Sequence, residues 1–181
     1  MLYKIALFLH IIGALMLCAA IAIEWLCIIN LKKADTIAAI KASISNYSRL
    51  GIIGGLSMAL ILIPGIYMMV TVWQEAAWII ISFIALILIG VIGGAVSGRK
   101  MNKVKKVLKN EDSGSSKLRE LLQGDALWVS IKLRTAIFIG VIFMMTIKTD
   151  LPGSILTLCI SALAGFLPLQ KAGRNNIQIS G

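Results

Sequence analysis

The sequence carries little charge of either sign, and acidic residues and histidine are especially scarce. Only 14% of its 181 residues are charged and 59% are hydrophobic, with 8 acidic residues and a single histidine, His10. Soluble domains contain about 25% charged residues. So few polar side chains cannot cover the surface of a water-soluble fold, whereas a fold that faces lipid needs far fewer. The composition therefore predicts a membrane protein.

The same scarcity argues against several kinds of site. Structural zinc sites use four cysteine or histidine ligands, but the three cysteines, Cys18, Cys27 and Cys159, lie scattered in apolar stretches. Cys18 and Cys27 point to opposite sides of one predicted helix and cannot pair with each other, so we expect the cysteines to be buried small apolar side chains. The sequence also lacks the G-x-S-x-G motif that exposes a serine nucleophile.

Long apolar runs take the place of the missing charge. A helix needs about 20 apolar residues to cross a bilayer, and five continuous runs approach or exceed that length: 5–30, 50–73, 77–97, 127–147 and 152–170. Continuous runs favour helices over barrel strands, which alternate apolar and polar residues. We therefore expect an all-α bundle of five transmembrane helices in one domain, 1–181, with an uncleaved first helix that is longer than a signal-peptide core.

Lysine and arginine are concentrated on one side of this five-helix arrangement. The connector 31–49, the loop 98–126 and the tail 171–181 hold most of them, whereas the opposite side has only Lys4 and Lys148. The positive-inside rule then predicts an external N-terminus and a cytoplasmic C-terminus. Because the cations flank spans without interleaved aromatic residues, we expect contact with the lipid bilayer and no nucleic-acid partner.

Three further patterns concern packing and the long loop. Tryptophans near span ends are typical of an aromatic belt, and they occur here at Trp73, Trp78 and Trp128. Small residues let helices approach closely in lipid, and they cluster at Gly51, Gly54, Gly55 and 90–98. The loop 98–126 is predicted to extend the third helix, break near 111–116 and restart as a short amphipathic helix near 117–123.

Ionisable side chains inside spans are costly and mark candidate functional sites. Glu24 and Arg134 lie at similar depths, each about 10 Å from the same membrane boundary at the helical rise per residue. We therefore expect a structural ion pair between them, with Lys132 and Arg49 as the other candidate partners. His10 shares a face of the first helix with Glu24 but lies about 21 Å away along the axis, so the two belong to separate sites.

His10 has two interpretations. It either joins helices through a hydrogen bond, with Tyr67 or Thr157 as partner, or it is a ligand of haem b iron or copper(I) in a space beside Gly13. Candidate second ligands for a metal are methionines at plausible depths: Met68, Met69, Met144 and Met145. Because the chain has one histidine, ligation by two imidazoles would require a homo-oligomer.

The opening FLHIIGAL, residues 8–15, resembles the first helix of a group of prokaryotic membrane proteins. The group includes copper-resistance D-type proteins, HemJ-type protoporphyrinogen oxidases and a family of predicted integral membrane proteins of unknown function. The last family is the most similar, since PGIYMM (64–69), AWIIISFIALILIGVIGG (77–94) and LRTAIFIGVIFMMTIKTDLPGS (133–154) resemble its later segments. The resemblance to the HemJ-type proteins implies haem ligation by His10. The tryptophan that usually follows the histidine segment is absent.

Together these patterns predict a multi-pass inner-membrane protein with no assignable enzyme activity. The leading hypothesis is haem or metal binding through His10. The alternative is a structural or transport-related helix bundle without a cofactor.

Overall fold

The structure, a computed structural model, describes residues 1–34, 36–73, 76–109 and 126–167. These residues are helical apart from short connections, as the sequence predicted. The helices are α1 (Leu2–Lys33), α2 (Ile37–Thr71), α3 (Ala77–Ile92), α4 (Arg99–Lys109), α5 (Ala126–Ile147) and α6 (Leu151–Phe166). A π-helical segment, Gly93–Gly98, joins α3 to α4 without a break.

Four of the described helices are long and apolar enough to cross a membrane. They are α1, α2, the continuous helix Ala77–Leu108 and α5. The fifth predicted span, 152–170, corresponds to α6, an apolar helix of 16 residues, and its last residues 168–170 lie outside the described part. At the helical rise α6 is about 24 Å long, less than the roughly 30 Å hydrocarbon core of a bilayer.

The second helix starts well before the boundary that hydropathy predicted. It begins at Ile37 instead of residue 50, so most of the connector 31–49 is helical. The Thr36 side chain caps this end by accepting a hydrogen bond from the Ala39 backbone N–H at 3.3 Å. Ile40 and Ile44 are buried here. Polar residues lower the hydropathy of this segment without breaking the helix, so the hydropathy boundary was not the helix boundary.

The predicted extension of the third helix into loop 98–126 is present as far as Lys109. In α4 the side chains of Met101 and Val104 are buried in the core, whereas Arg99, Lys103 and Lys106 are exposed. The predicted break near 111–116 and the helix near 117–123 fall outside the described residues.

Apolar side chains cover much of the outer surface as well as the core. Leu17, Ile28 and Ile131 are among the buried residues that join α1 and α5 to one core cluster, whereas Ile52 and Leu163 are 77% and 68% exposed. Large exposed apolar surfaces are unfavourable in water and ordinary in lipid. The three cysteines are unpaired; Cys27 is buried, as expected, whereas Cys18 and Cys159 are exposed.

Glycines decide two of the close helix approaches. A Cβ added at Gly13 would lie 2.8 Å from the Leu60 carbonyl carbon, so α1 lies directly on the backbone of α2. A Cβ added at Gly165 would lie 2.6 Å from Leu133 Cα, which brings α6 onto α5 in the same way. The predicted packing role of 51–55 is wrong for this chain, because no atom lies within 4 Å of an added Cβ at any of its three glycines.

Tryptophan and lysine pair at two levels of the bundle. Lys32 Nζ lies 5.0 Å from the centroid of the Trp128 ring, and Lys148 Nζ lies 4.1 Å from that of Trp73. Trp128 and Lys148 are separated along α5 by about 30 Å at the helical rise, which equals the usual hydrocarbon thickness. The two pairs therefore lie where the interfacial aromatic residues of a membrane protein are expected.

Candidate functional site

Glu24 and Arg134 form a buried ion pair between α1 and α5. Their exposed fractions are 6% and 8%, and Arg134 Nη2 donates directly to Glu24 Oε1. This is the pair that the comparison of depths predicted. The two other candidate partners are not used, since Lys132 is half-buried elsewhere on α5 and Arg49 is exposed.

Three hydroxyl side chains complete a polar cluster around this ion pair. The Tyr47 hydroxyl donates to Glu24 Oε1 at 3.2 Å, and Ser97 Oγ accepts from Arg134 Nη2 at 3.5 Å. Ser97 in turn shares a hydrogen bond of 2.9 Å with Ser130. The polar cluster, defined as these five residues, thereby joins α1, α2, the π-helical segment and α5.

The π-helical segment shapes the space around the guanidinium. Its first residue is Gly93, where an added Cβ would lie 2.8 Å from Arg134 Nη1, so a larger residue would require the guanidinium to shift. Single π-helical turns inside α-helices are frequent at functional sites. Arg134 Nε is buried and has no hydrogen-bond partner among the described residues, so the cluster retains one donor for a water or another small acceptor.

Sequence reasoning found the ion pair but missed its hydroxyl partners. Tyr47 lay in the stretch interpreted as a connector, so its depth was not compared with that of Glu24. Ser97 lay in a glycine-rich stretch interpreted as packing. Helical phase was the available signal for Tyr47, because it lies on the same face of α2 as the buried Ile40 and Ile44.

The polar cluster contains two charged groups, the Glu24 carboxylate and the Arg134 guanidinium. One carboxylate balances one guanidinium, and arginine keeps its proton in proteins whereas a carboxylate can accept one. Taking up one proton on Glu24 would therefore change the cluster from neutral to positive and weaken the bond that holds α1 to α5.

His10 lies in a second site, in the half of α1 nearer the N-terminus. Its Nδ1 is 2.8 Å from the backbone carbonyl oxygen of Ile61 on α2. A carbonyl oxygen can only accept, so Nδ1 carries a proton, and in the neutral imidazole Nε2 keeps its electron pair. The side chains predicted as partners are not used: the Thr157 hydroxyl donates to the Gly153 carbonyl at 2.8 Å, and Tyr67 is exposed.

Two residues of α2 lie close to the accepting carbonyl of Ile61. Pro64 lies inside α2 and has no N–H, so the neighbouring Leu60 carbonyl loses its usual helical donor. Neighbouring helices satisfy backbone groups near such prolines in membranes. Gly65 lies beside the ring, and an added Cβ there would make van der Waals contact with His10 Nδ1 at 3.4 Å.

The space predicted beside Gly13 is not open, since the backbone of α2 fills it. The predicted methionine ligands are dispersed. Met144 is fully buried in the core cluster and Met145 packs against that cluster. Met68 is buried on α2, one helical turn beyond Gly65, and Met69 is half-buried beside it.

The described part of the chain contains no group of three or more histidine, cysteine, aspartate or glutamate residues that could hold a metal ion. A metal bound at His10 would therefore depend on imidazole, thioether or non-protein ligands. Comparison with known proteins returned no matching protein family, curated protein or solved structure.

Proposed function

We propose that this chain is a multi-pass protein of a prokaryotic inner membrane that holds haem or copper(I) through Nε2 of His10. The supporting observation is the hydrogen bond from Nδ1 to the Ile61 carbonyl. Histidines that bind metals usually donate their other ring N–H to a carbonyl or carboxylate, which sets the tautomer and the ring orientation. The bond at Ile61 meets that requirement and leaves the second nitrogen able to bind.

The residues around His10 fit such a ligand in part. The ring is half-buried, and Gly65 keeps the adjacent surface of α2 small. Met68 is the thioether that the helical register places on the same stretch of α2. When bound, the group would supply one-electron transfer, with His10 as its ligand. A second copy of the chain would be needed for ligation by two imidazoles.

Purified protein tests this proposal. If His10 binds haem, the detergent-solubilised chain should show a Soret band that His10→Ala abolishes or shifts, because the imidazole would be an axial ligand. If His10 binds copper, metal analysis should give a stoichiometric amount without that band, again lost in His10→Ala. Tyr67→Phe is a matched control on the exposed side of α2 and should change neither result.

If neither cofactor co-purifies from cells supplied with both, and His10→Ala only lowers the melting temperature, then the imidazole joins α1 to α2 and binds no cofactor.

A second candidate function is a transport-related bundle without a cofactor, and the polar cluster favours it. Ionisable groups inside spans mark proton and ion pathways, and Glu24 is a proton-accepting group next to a buried donor without a partner. Liposomes that contain the protein and a pH-sensitive dye should then acidify faster than empty ones under an imposed proton gradient. A folded Glu24→Gln/Arg134→Gln variant should not, and equal rates for both proteins would overturn this candidate.

The distribution of lysine and arginine supports a cytoplasmic location for the basic segments. A reporter fused after Lys109 should therefore read cytoplasmic, and one fused at Gln74 should read external. A fusion at the C-terminus tests α6 separately: a cytoplasmic reading means that α6 crosses the membrane, and an external reading means that only four helices do. An external reading at Lys109 would overturn the orientation.

A further inference from the structure

The outer face of α4 carries a row of cations. Arg99, Lys103 and Lys106 are exposed, and their spacing of four and three residues places them on one side of the helix. The opposite side of α4 carries Met101 and Val104, which are buried at 2% and 0% exposure. The row, here called the basic stripe, is therefore held in place by packing of the helix that bears it.

Acidic residues do not balance the basic stripe within the described part of the chain. The one described acid at this end of the bundle is Glu24, and it is buried and paired with Arg134. Exposed Lys41 and Arg49 on the neighbouring part of α2 add to the positive potential. Over the whole loop 98–126 the sequence has eight lysines and arginines against four acidic residues, so the excess remains positive.

The basic stripe begins where the apolar part of its helix ends. It belongs to Ala77–Leu108, a continuous helix that is long and apolar enough to cross a bilayer, so Arg99 directly follows the apolar part. Lys106 is about 10 Å farther along the axis. The screening length at physiological salt is about 8 Å, so at least the first two cations lie within reach of charge at the bilayer surface.

We propose that the basic stripe of α4 binds anionic phospholipid headgroups and so anchors the end of this helix at the membrane surface. The charges are complementary, and the helix that carries the stripe is itself continuous with a span. RNA is disfavoured because the stripe offers no aromatic side chain on which a base could stack. The proposal depends on insertion of the third span in a membrane and is independent of any cofactor at His10.

Lipid titration of the full chain in an uncharged detergent tests the proposal. Phosphatidylglycerol should raise the melting temperature, and phosphatidylcholine at the same mole fraction should not. Arg99→Gln/Lys103→Gln/Lys106→Gln should raise the phosphatidylglycerol concentration needed for half of the stabilisation by about fivefold for each charge near the surface. Raised salt should raise this concentration for the natural sequence. The matched control Arg99→Lys/Lys103→Arg/Lys106→Arg keeps every charge and should keep the effect.

Three results would overturn the proposal. One is an equal response to the two lipids, and another is an unchanged response in the neutral triple variant. The third is a response of the natural sequence to single-stranded RNA or to inorganic phosphate that exceeds its response to phosphatidylglycerol and disappears in the same variant. Loss of the Soret band or of metal in His10→Ala leaves these lipid measurements unaffected, so the two proposals fail separately.

Discussion

Replacing Glu24 with glutamine should lower the free energy of unfolding by about 3–5 kcal/mol, the usual cost of removing one partner of a buried ion pair. The change leaves the Arg134 guanidinium buried without its counter-charge. Arginine cannot relieve this by losing its proton. Unfolding of the detergent-solubilised protein, followed by tryptophan fluorescence, measures the loss.

Replacing the other partner, in Arg134→Gln, should lower the free energy of unfolding by less, and this asymmetry makes the prediction specific. In Arg134→Gln the remaining carboxyl group of Glu24 can take up a proton and become neutral. The double variant Glu24→Gln/Arg134→Gln should recover most of the stability, because no charge is left in the interior. Tyr47→Phe is the control within the same cluster and should cost only about 0.5–1.5 kcal/mol, the net value of one hydrogen bond. If the two single costs add in the double variant, the pair is not coupled.

The second large effect is expected at Gly13. Gly13→Ala should destabilise the protein by about 1–3 kcal/mol, as overpacking of a tight contact does. The added methyl group would lie 2.8 Å from the carbonyl carbon of Leu60 and 2.9 Å from the nitrogen of Ile61. Backbone atoms of a helix cannot move aside as a flexible side chain can, so α1 and α2 would have to separate.

Gly55→Ala is the matched control for that prediction. Gly55 is also a helical glycine, but no atom lies within 4 Å of its added Cβ. Alanine is favoured over glycine in a helix interior by about 0.8–1.0 kcal/mol, so Gly55→Ala should be neutral or stabilising in the same unfolding measurement. Equal destabilisation by the two changes would mean that the close approach at Gly13 is not what limits packing.

Composition and run length were sufficient to predict an all-helical fold with several helices long and apolar enough to cross a membrane. The reason is that hydropathy and chain length are properties of each segment by itself, and burial in lipid depends on them directly. The same holds for the ion pair of Glu24 and Arg134. A charge inside a span must be neutralised, and helical rise alone restricts the partners to those at the same depth.

Tertiary structure alone decided the details that depend on which faces meet. The sequence suggested Tyr67 or Thr157 as the partner of His10, yet the acceptor is the Ile61 carbonyl. A backbone carbonyl is present at every residue, and the close approach of α1 to α2 at Gly13 brings this one within reach of His10.

Two glycines show the same difference between what the sequence predicts and what the tertiary structure decides. Gly13 and Gly55 look alike in sequence, both within apolar helical stretches, but one lies against α2 and the other faces outward. Hydropathy places both in the membrane because it measures transfer of a segment from water. It carries no information on which side of a lipid-embedded helix meets another helix, since lipid and protein interior are similarly apolar. That choice depends on the contacts between helices, and only the assembled bundle contains them.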